Sequence, residues 1–148
     1  TVCSRDGRCV TAMDVADAHA ILRIAAAYDV VGIDEAQFFD EAIVDVVRQL
    51  YAQGKRIIVS GLDTDYRGAY FGSMYRLMAI PEATVVKLRA VCMSCADEAT
   101  RTFRKTRSGA QVEIGDADKY EALCYACYAR ASAAETEPER QVTATRNS

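Results

Sequence analysis

The stretch VVGIDEAQFFDEAIVDVVRQLYAQGKRIIVSGL, Val30 to Leu62, decides the architecture. Its first four residues, VVGI, carry no polar alternation and read as a short, fully buried strand. The strand runs straight into an Asp–Glu pair, an amide and two phenylalanines. Ile43, Val44, Val47, Leu50 and Tyr51 then recur at helical spacing, which predicts a helix from about Glu41 to Gln53, and Gly54 suits its C-terminal cap. KRIIVSGL reads as a second buried strand. Strand, helix and strand at this spacing predict a parallel α/β sheet. Ligands of such sheets sit beyond the carboxyl ends of the strands, so Asp34 and Glu35 fall at the mouth of one strand and Asp63 at the mouth of the next.

Upstream, MDVADAHAILRIAAAYD repeats Val15, Ala18, Ile21, Leu22, Ala25 and Tyr28 on one helical face, with Asp14 placed to cap it. Downstream, DTDYRGAYFG is a Gly-punctuated loop, SMYRLMA a short helix stopped by Pro81, and ATVVKLRAV a further strand. From Cys92 the character changes. TRTFRKTRSGAQVEIG reads as a two-stranded hairpin with RSG near its turn, and a CxxC pair lies outside each end. After Arg130 hardly any large apolar residue remains, which predicts a disordered tail. The expected domains are therefore a core over 1–91, a small module over 92–130 and a tail over 131–148.

The formal net charge of −3 gives no electrostatic footprint for nucleic acid or an anionic membrane. No apolar run approaches the ~20 residues of a membrane span, and TVCSRDGRCV lacks the apolar core of a signal peptide. A cytoplasmic protein is expected. The chain also lacks a starting Met and opens as if in mid-sequence, so an upstream segment is expected.

Four of the six cysteines form two CxxC pairs, Cys92/Cys95 and Cys124/Cys127. Two thiolates separated by two residues grip an ion from one tight turn, and two such turns complete a tetrahedron, the pattern of a zinc site. Four sulfur ligands leave no open coordination position, so the zinc is expected to be structural. Cys3 and Cys9 flank the turn SRDGR; free thiols are the preferred reading, with pairing on oxidation the alternative.

The acid pair is less specific alone. An apolar strand ending in Asp matches a carboxylate that reaches Mg²⁺ on nucleotide phosphates, and a neighbouring Glu can take a proton from an attacking hydroxyl. Equally, Asp34, Glu35 or Asp40 could cap the helix that follows. His19 reads as an ordinary helix residue. Arg101, Arg104, Lys105 and Arg107 read as a solvated basic hairpin, Asp63 as a residue ordering its loop, and Arg67 stands even between a phosphate contact and a surface charge.

Order and combination go further. IDEAQFFDE, then SGLDTDYRGAYFG, VVKLRAVCMSC and VEIGDADKYEALCYACY, nearly contiguous from about residue 30 to 128, resemble the cytosolic-type (type II) thymidine kinase family. The resemblance implies a P-loop-kinase-like (RecA-like) core with a zinc-binding lasso module, and transfer of the γ-phosphate of ATP to the 5′-hydroxyl of thymidine, and of deoxyuridine. By motif position Glu35 looks like the general base and Asp34 the carboxylate for Mg²⁺. Phe38 would face the base and sugar with Gln37 close by, and Leu62, Tyr66 and Phe71 would line the nucleoside pocket. In the lasso, Thr102 would sit near the 5-methyl group, Gln111, Glu113, Ile114 and Gly115 would supply a backbone stretch, and Tyr120 would reach back to the nucleoside. The family further implies a homotetramer and feedback inhibition by dTTP.

One element departs from the family. A P-loop needs G-x-x-x-x-G-K-[ST], and the only Gly–Lys here, Gly54–Lys55, is followed by Arg56 between a helix and a strand. The expected phosphate-holding loop lies upstream of Thr1, and a polypeptide starting there is expected to be inactive. Two rival readings are a non-catalytic zinc ribbon that binds nucleic acid or a protein partner, and a motor ATPase. Neither accounts for the aromatic residues behind the acid pair.

Overall fold

A computed structural model describes residues 1–3, 7–105 and 119–136. The chain divides into two compact units. The first comprises Thr1–Asp63 and Tyr70–Val85; the second comprises Thr64–Ala69 and Val86–Ser148.

The first unit opens on a small antiparallel pair, β1 (Val2–Cys3) and β2 (Cys9–Val10). Its register sets Cys3 opposite Cys9, and the two are joined as a disulfide rather than left as free thiols. The direct cross-strand pairing explains the difference, because it brings both sulfurs within bonding reach.

Helix α1 (Ala18–Ala25) is shorter than its sequence pattern, and its cap is Asp17 rather than Asp14: the Asp17 carboxylate accepts the Ala20 N–H at 2.9 Å. The buried stripe of Ala18, Ile21 and Ala25 begins only after Asp17, so the cap sits where burial starts. His19 is exposed on this helix. The next strand, β3 (Val30–Ile33), pairs in parallel with β4 (Arg56–Val59), and α2 (Ala42–Ala52) makes the crossover. Gly54 ends α2 in the left-handed region at φ 77°. There the Gly54 N–H donates to Tyr51 O and the Lys55 N–H to Leu50 O, satisfying two terminal carbonyls.

The expectation that VVGI is fully buried does not hold. Val31, Ile33, Ile57 and Val59 face the core, whereas Val30, Gly32, Arg56 and Ile58 alternate outward and are exposed. Among the described residues this sheet has two strands and one covered face, so the period-2 alternation reappears in burial even though all four positions are apolar. The covered face packs on Ile43, Val44, Val46 and Leu50 of α2, the largest fully buried side chains. Each is worth roughly 1.5–3 kcal/mol relative to exposure. The short helix α3 (Met74–Met78) closes the same core with Met74 and Leu77.

Among the described residues the second unit contains two antiparallel pairs and a helix. Strand β5 (Ala90–Val91) pairs with β6 (Glu98–Ala99). The longer strand read from ATVVKLRAV is corrected: only Ala90–Val91 of that stretch forms a strand, and Leu88 is 91 % exposed. Apolar β-branched composition alone does not make a strand without a ladder partner. Strand β7 (Arg101–Arg104) pairs with β8 (Tyr120–Leu123), in register from Arg101–Leu123 to Arg104–Tyr120. The strand expected from TRTFRK thus has an antiparallel partner in Tyr120–Leu123, while the anticipated RSG turn and the AQVEIG return strand lie outside the described residues. Helix α4 (Tyr125–Thr136) carries past Arg130, in keeping with the alanines at 126, 129, 131, 133 and 134, the best helix formers.

Leu50→Ala removes a side chain at the centre of the first core and should lower the unfolding free energy by about 2–5 kcal/mol. Urea denaturation reads this directly, and a loss under about 1 kcal/mol would place Leu50 outside the core's critical packing.

Candidate active site and metal centre

The acid pair sits where β3 ends. Parallel register continues one step past the strands, since Ser60 N–H donates to Ile33 O and Ala36 N–H to Ser60 O. Asp34 therefore faces Ser60, whose hydroxyl donates to Asp34 Oδ1 at 2.5 Å, while the Glu35 N–H donates to the same oxygen at 3.0 Å. Ser60 was not singled out in the sequence. Its position after β4, matching that of Asp34 after β3, is the signal that finds it.

Helix capping falls to another residue. Asp40 Oδ1 accepts the Ala42 N–H at 3.1 Å at the start of α2. Asp34 and Glu35 make no such cap to α2, and both are exposed at the strand mouth. Glu35 adopts the left-handed region at φ 52°, ψ 41°, an uncommon conformation for a residue other than Gly, Asn or Asp and one that occurs at functional sites. Its carboxylate accepts a hydrogen bond from the Gln37 side-chain amide. Gln37 itself is 3 % exposed, and its Oε1 accepts the Leu62 N–H at 3.0 Å.

Two of the expected pocket aromatics meet. Phe38 and Phe71 pack edge to face at 5.5 Å, and Phe38 remains 58 % exposed. Leu62 is also exposed, and Phe71 N–H donates to Asp63 O. The first unit thus gathers Asp34, Glu35, Gln37, Leu62, Phe38 and Phe71 around the carboxyl ends of β3 and β4.

Tyr66 belongs to the second unit. Its hydroxyl accepts from Arg104 Nη2 at 3.0 Å and from Arg67 Nε at 2.7 Å, and the Arg104 guanidinium lies 3.8 Å from its ring centroid. Tyr128 Oη donates to Tyr66 O at 2.9 Å. Burial pushes the Tyr66 phenol up, but the hydrogen bonds and charges of Arg104 and Arg67 outweigh it and hold it below the ordinary tyrosine value. The loop itself is ordered by Asp65, buried, whose Oδ1 accepts the Arg67 and Ala69 N–H groups. Asp65, not singled out in the sequence, thus supplies an ordering carboxylate to this loop.

The solvated basic hairpin is likewise corrected. Arg104 is 5 % exposed and also hydrogen-bonds Tyr120 across the strand pair. Lys105 pairs with Glu121 at 2.9 Å, and Arg101 lies over the rings of Tyr125 and Tyr128. Neighbouring aromatic faces draw Arg101 and Arg104 inward, while Lys105 stays exposed and paired. Thr102 sits on β7 opposite Ala122. Arg107, Gln111, Glu113, Ile114 and Gly115 lie outside the described residues.

The thiols of Cys92, Cys95, Cys124 and Cys127 lie within 4.8 Å of one another. A tetrahedral ion with sulfur at about 2.3 Å sets its ligands about 3.8 Å apart, and Cys95 Sγ stands 3.7 Å from Cys124 Sγ. The four cysteines are positioned to hold a metal ion, and the all-sulfur donor set fits zinc. The backbone hydrogen bond from Cys124, working against burial, brings the Cys92 thiol down to about 6. Cys95 is pushed up to about 12: an Asp97 backbone hydrogen bond lowers it, but the Cys92, Cys127 and Cys124 thiols prevail. Four thiols this close cannot all ionise by themselves; a divalent cation removes the conflict. Arg130 donates to Cys127 Sγ at 3.0 Å from the next turn of α4.

Ala96 closes the first CxxC turn at φ 63°, where Ala96 N–H donates to Cys92 O at 2.9 Å.

A thymidine kinase family model matches residues 1–128. The chain belongs to the thymidine kinase family. It is 42% identical over 130 residues to a thymidine kinase of Bacteroides thetaiotaomicron, covering 88% of this chain and 65% of that protein. A thymidine kinase of Porphyromonas gingivalis is 42% identical over 131 residues, covering 88% and 64%. One from Mesomycoplasma hyopneumoniae is 54% identical over 101 residues, covering 68% and 54%. The chain thus spans just under two thirds of the length of the first two relatives.

Cys95→Ser should cut metal retention after dialysis, measured by elemental analysis; undiminished retention would remove Cys95 from the ligand set. Ala96→Gly relieves a left-handed alanine and should raise stability by about 1 kcal/mol, seen as a higher midpoint in thermal unfolding of the metal-loaded protein. An unchanged or lowered midpoint would show that the turn carries no such cost.

Proposed function

We propose that the whole protein is an ATP-dependent thymidine kinase that makes dTMP from thymidine, and the corresponding product from deoxyuridine, in deoxynucleotide salvage. The observation that carries this reading is the acid pair at the mouth of two parallel strands, relieved of helix capping by Asp40 and set beside the exposed Phe38–Phe71 pair. Family membership supports the substrate and the donor.

In this reading Phe38 offers a face to the thymine and deoxyribose, with Leu62, Tyr66 and Phe71 completing the nucleoside wall. Thr102, Gln111, Glu113, Ile114, Gly115 and Tyr120 belong to the lasso that closes over the base. Glu35 takes the proton from the 5′-hydroxyl as its oxygen bonds to the γ-phosphorus; the bond to the bridging oxygen breaks and ADP leaves. Asp34, oriented by the Ser60 hydroxyl, holds Mg²⁺. Bound with ATP, that ion neutralises charge on the phosphate oxygens. Cys92, Cys95, Cys124 and Cys127 would hold a structural Zn²⁺, which would tie both ends of the lasso. The core is RecA-like in this reading. A homotetramer, dTTP feedback and a cytoplasmic location complete the reading.

A nucleic-acid-binding zinc ribbon is the weaker account, because Arg104 is buried against Tyr66 and Lys105 is paired with Glu121.

Glu35→Gln in the whole protein should lower kcat by roughly 10²–10⁴-fold while thymidine binding, followed by calorimetry, survives. Turnover within a few-fold of the unaltered enzyme would dismiss Glu35 as the base.

A further inference from the structure

Gln37 occupies a place that its neighbours are shaped to fit. It is nearly fully buried, donates from its amide to the Glu35 carboxylate, and accepts the Leu62 N–H at 3.0 Å. Both ends of one side chain are therefore committed, the donor to the residue after β3 and the acceptor to the loop after β4. Two glycines flank it. A Cβ at Gly61 would stand 2.5 Å from Gln37 Oε1, and one at Gly72 would stand 2.1 Å from Gln37 O. Gly72 also adopts φ 51°. Gly61 thus leaves room for the Gln37 side chain, whereas Gly72 leaves room for the backbone of the same residue.

We propose that Gln37 is a positioning residue and not a reader of the nucleoside: it aims the Glu35 carboxylate and, through Leu62, ties that aim to the loop carrying Leu62 and Phe71. This rests on the assignment of Glu35 as the base. A side-chain amide is suited to the task because one planar group offers a donor and an acceptor on opposite sides. The donor constrains a carboxylate that otherwise stands exposed at the strand mouth. A substrate that displaced the Leu62 N–H from Gln37 Oε1 would leave that N–H without its acceptor. Positioning of this kind acts on the transition state, since a carboxylate misplaced by an ångström still binds substrate but receives the proton poorly.

The test separates reading from aiming. In the whole protein, with ATP and thymidine, Gln37→Met keeps the side-chain length and removes both polar ends. It should lower kcat by about 10–100-fold and change the thymidine Kd, from calorimetry, by less than about threefold. A Kd weakened about tenfold or more with kcat retained would overturn the proposal and make Gln37 a nucleoside contact.

A second measurement holds even where Gln37→Met folds poorly. Gly61→Ala should lower the melting temperature markedly in the native background, and by much less on top of Gln37→Ala, where the obstructing Oε1 is gone. Equal shifts in both backgrounds would break the Gly61–Gln37 link. Near-native turnover in Glu35→Gln would discard the base assignment alone, because the Gly61–Gln37 coupling is read from melting and not from activity.

Discussion

Parallel pairing of β3 with β4 is the constraint from which the first unit follows. The register runs from Val30–Arg56 to Ile33–Val59 and carries one step further through Ser60 and Ala36. A parallel pair needs a crossover, which α2 provides, and the crossover presses Ile43, Val44, Val46 and Leu50 onto one sheet face. Because both strands end at the same level, whatever follows each is brought together at one edge. Asp34 meets Ser60 there, Gln37 meets Leu62, and Phe38 meets Phe71. A one-residue slip would invert every side chain and dissolve all three meetings.

The second unit is organised by charge held against rings. Arg104 lies buried on Tyr66, Arg101 lies over Tyr125 and Tyr128, and Tyr128 returns to the backbone of Tyr66. Tyr128 follows Cys127 of the cysteine cluster directly in α4 and packs edge to face on Phe103. The cysteine cluster and the Tyr66 loop consequently share one set of supports, even though they are far apart in the sequence.

Much of this was legible beforehand, for reasons that differ by element. The strand–helix–strand segment was readable because apolar periodicity is local and Gly54 marks the helix end by its own backbone preference. The cysteine cluster was readable because ligand spacing is written directly in the chain. The cap of α1 was misplaced because Asp14 and Asp17 are equivalent by propensity, and only the buried stripe selects between them. The basic hairpin was misread because its cations find rings and an acceptor on other segments, which no window of sequence contains. Gln37 was named beside the nucleoside, but its tie to Leu62 escaped for the same reason: that partner lies beyond the whole of α2 and β4. The Cys3–Cys9 bond depended on register, which composition does not encode.

The allocation of Thr64–Ala69 to the second unit has a consequence for how such a chain can change over evolutionary time. The polypeptide leaves the first unit after Asp63, returns at Tyr70 and leaves again after Val85. Neither unit is a single stretch of gene. A recombination event that exchanged residues 86–148 alone would carry away Arg104 and Tyr128 but leave Tyr66 behind, an orphaned ring beside a foreign partner. The cysteine module is therefore no portable cassette: it can drift only in concert with a six-residue insert lodged in its neighbour's sequence, and the two segments should be inherited as one.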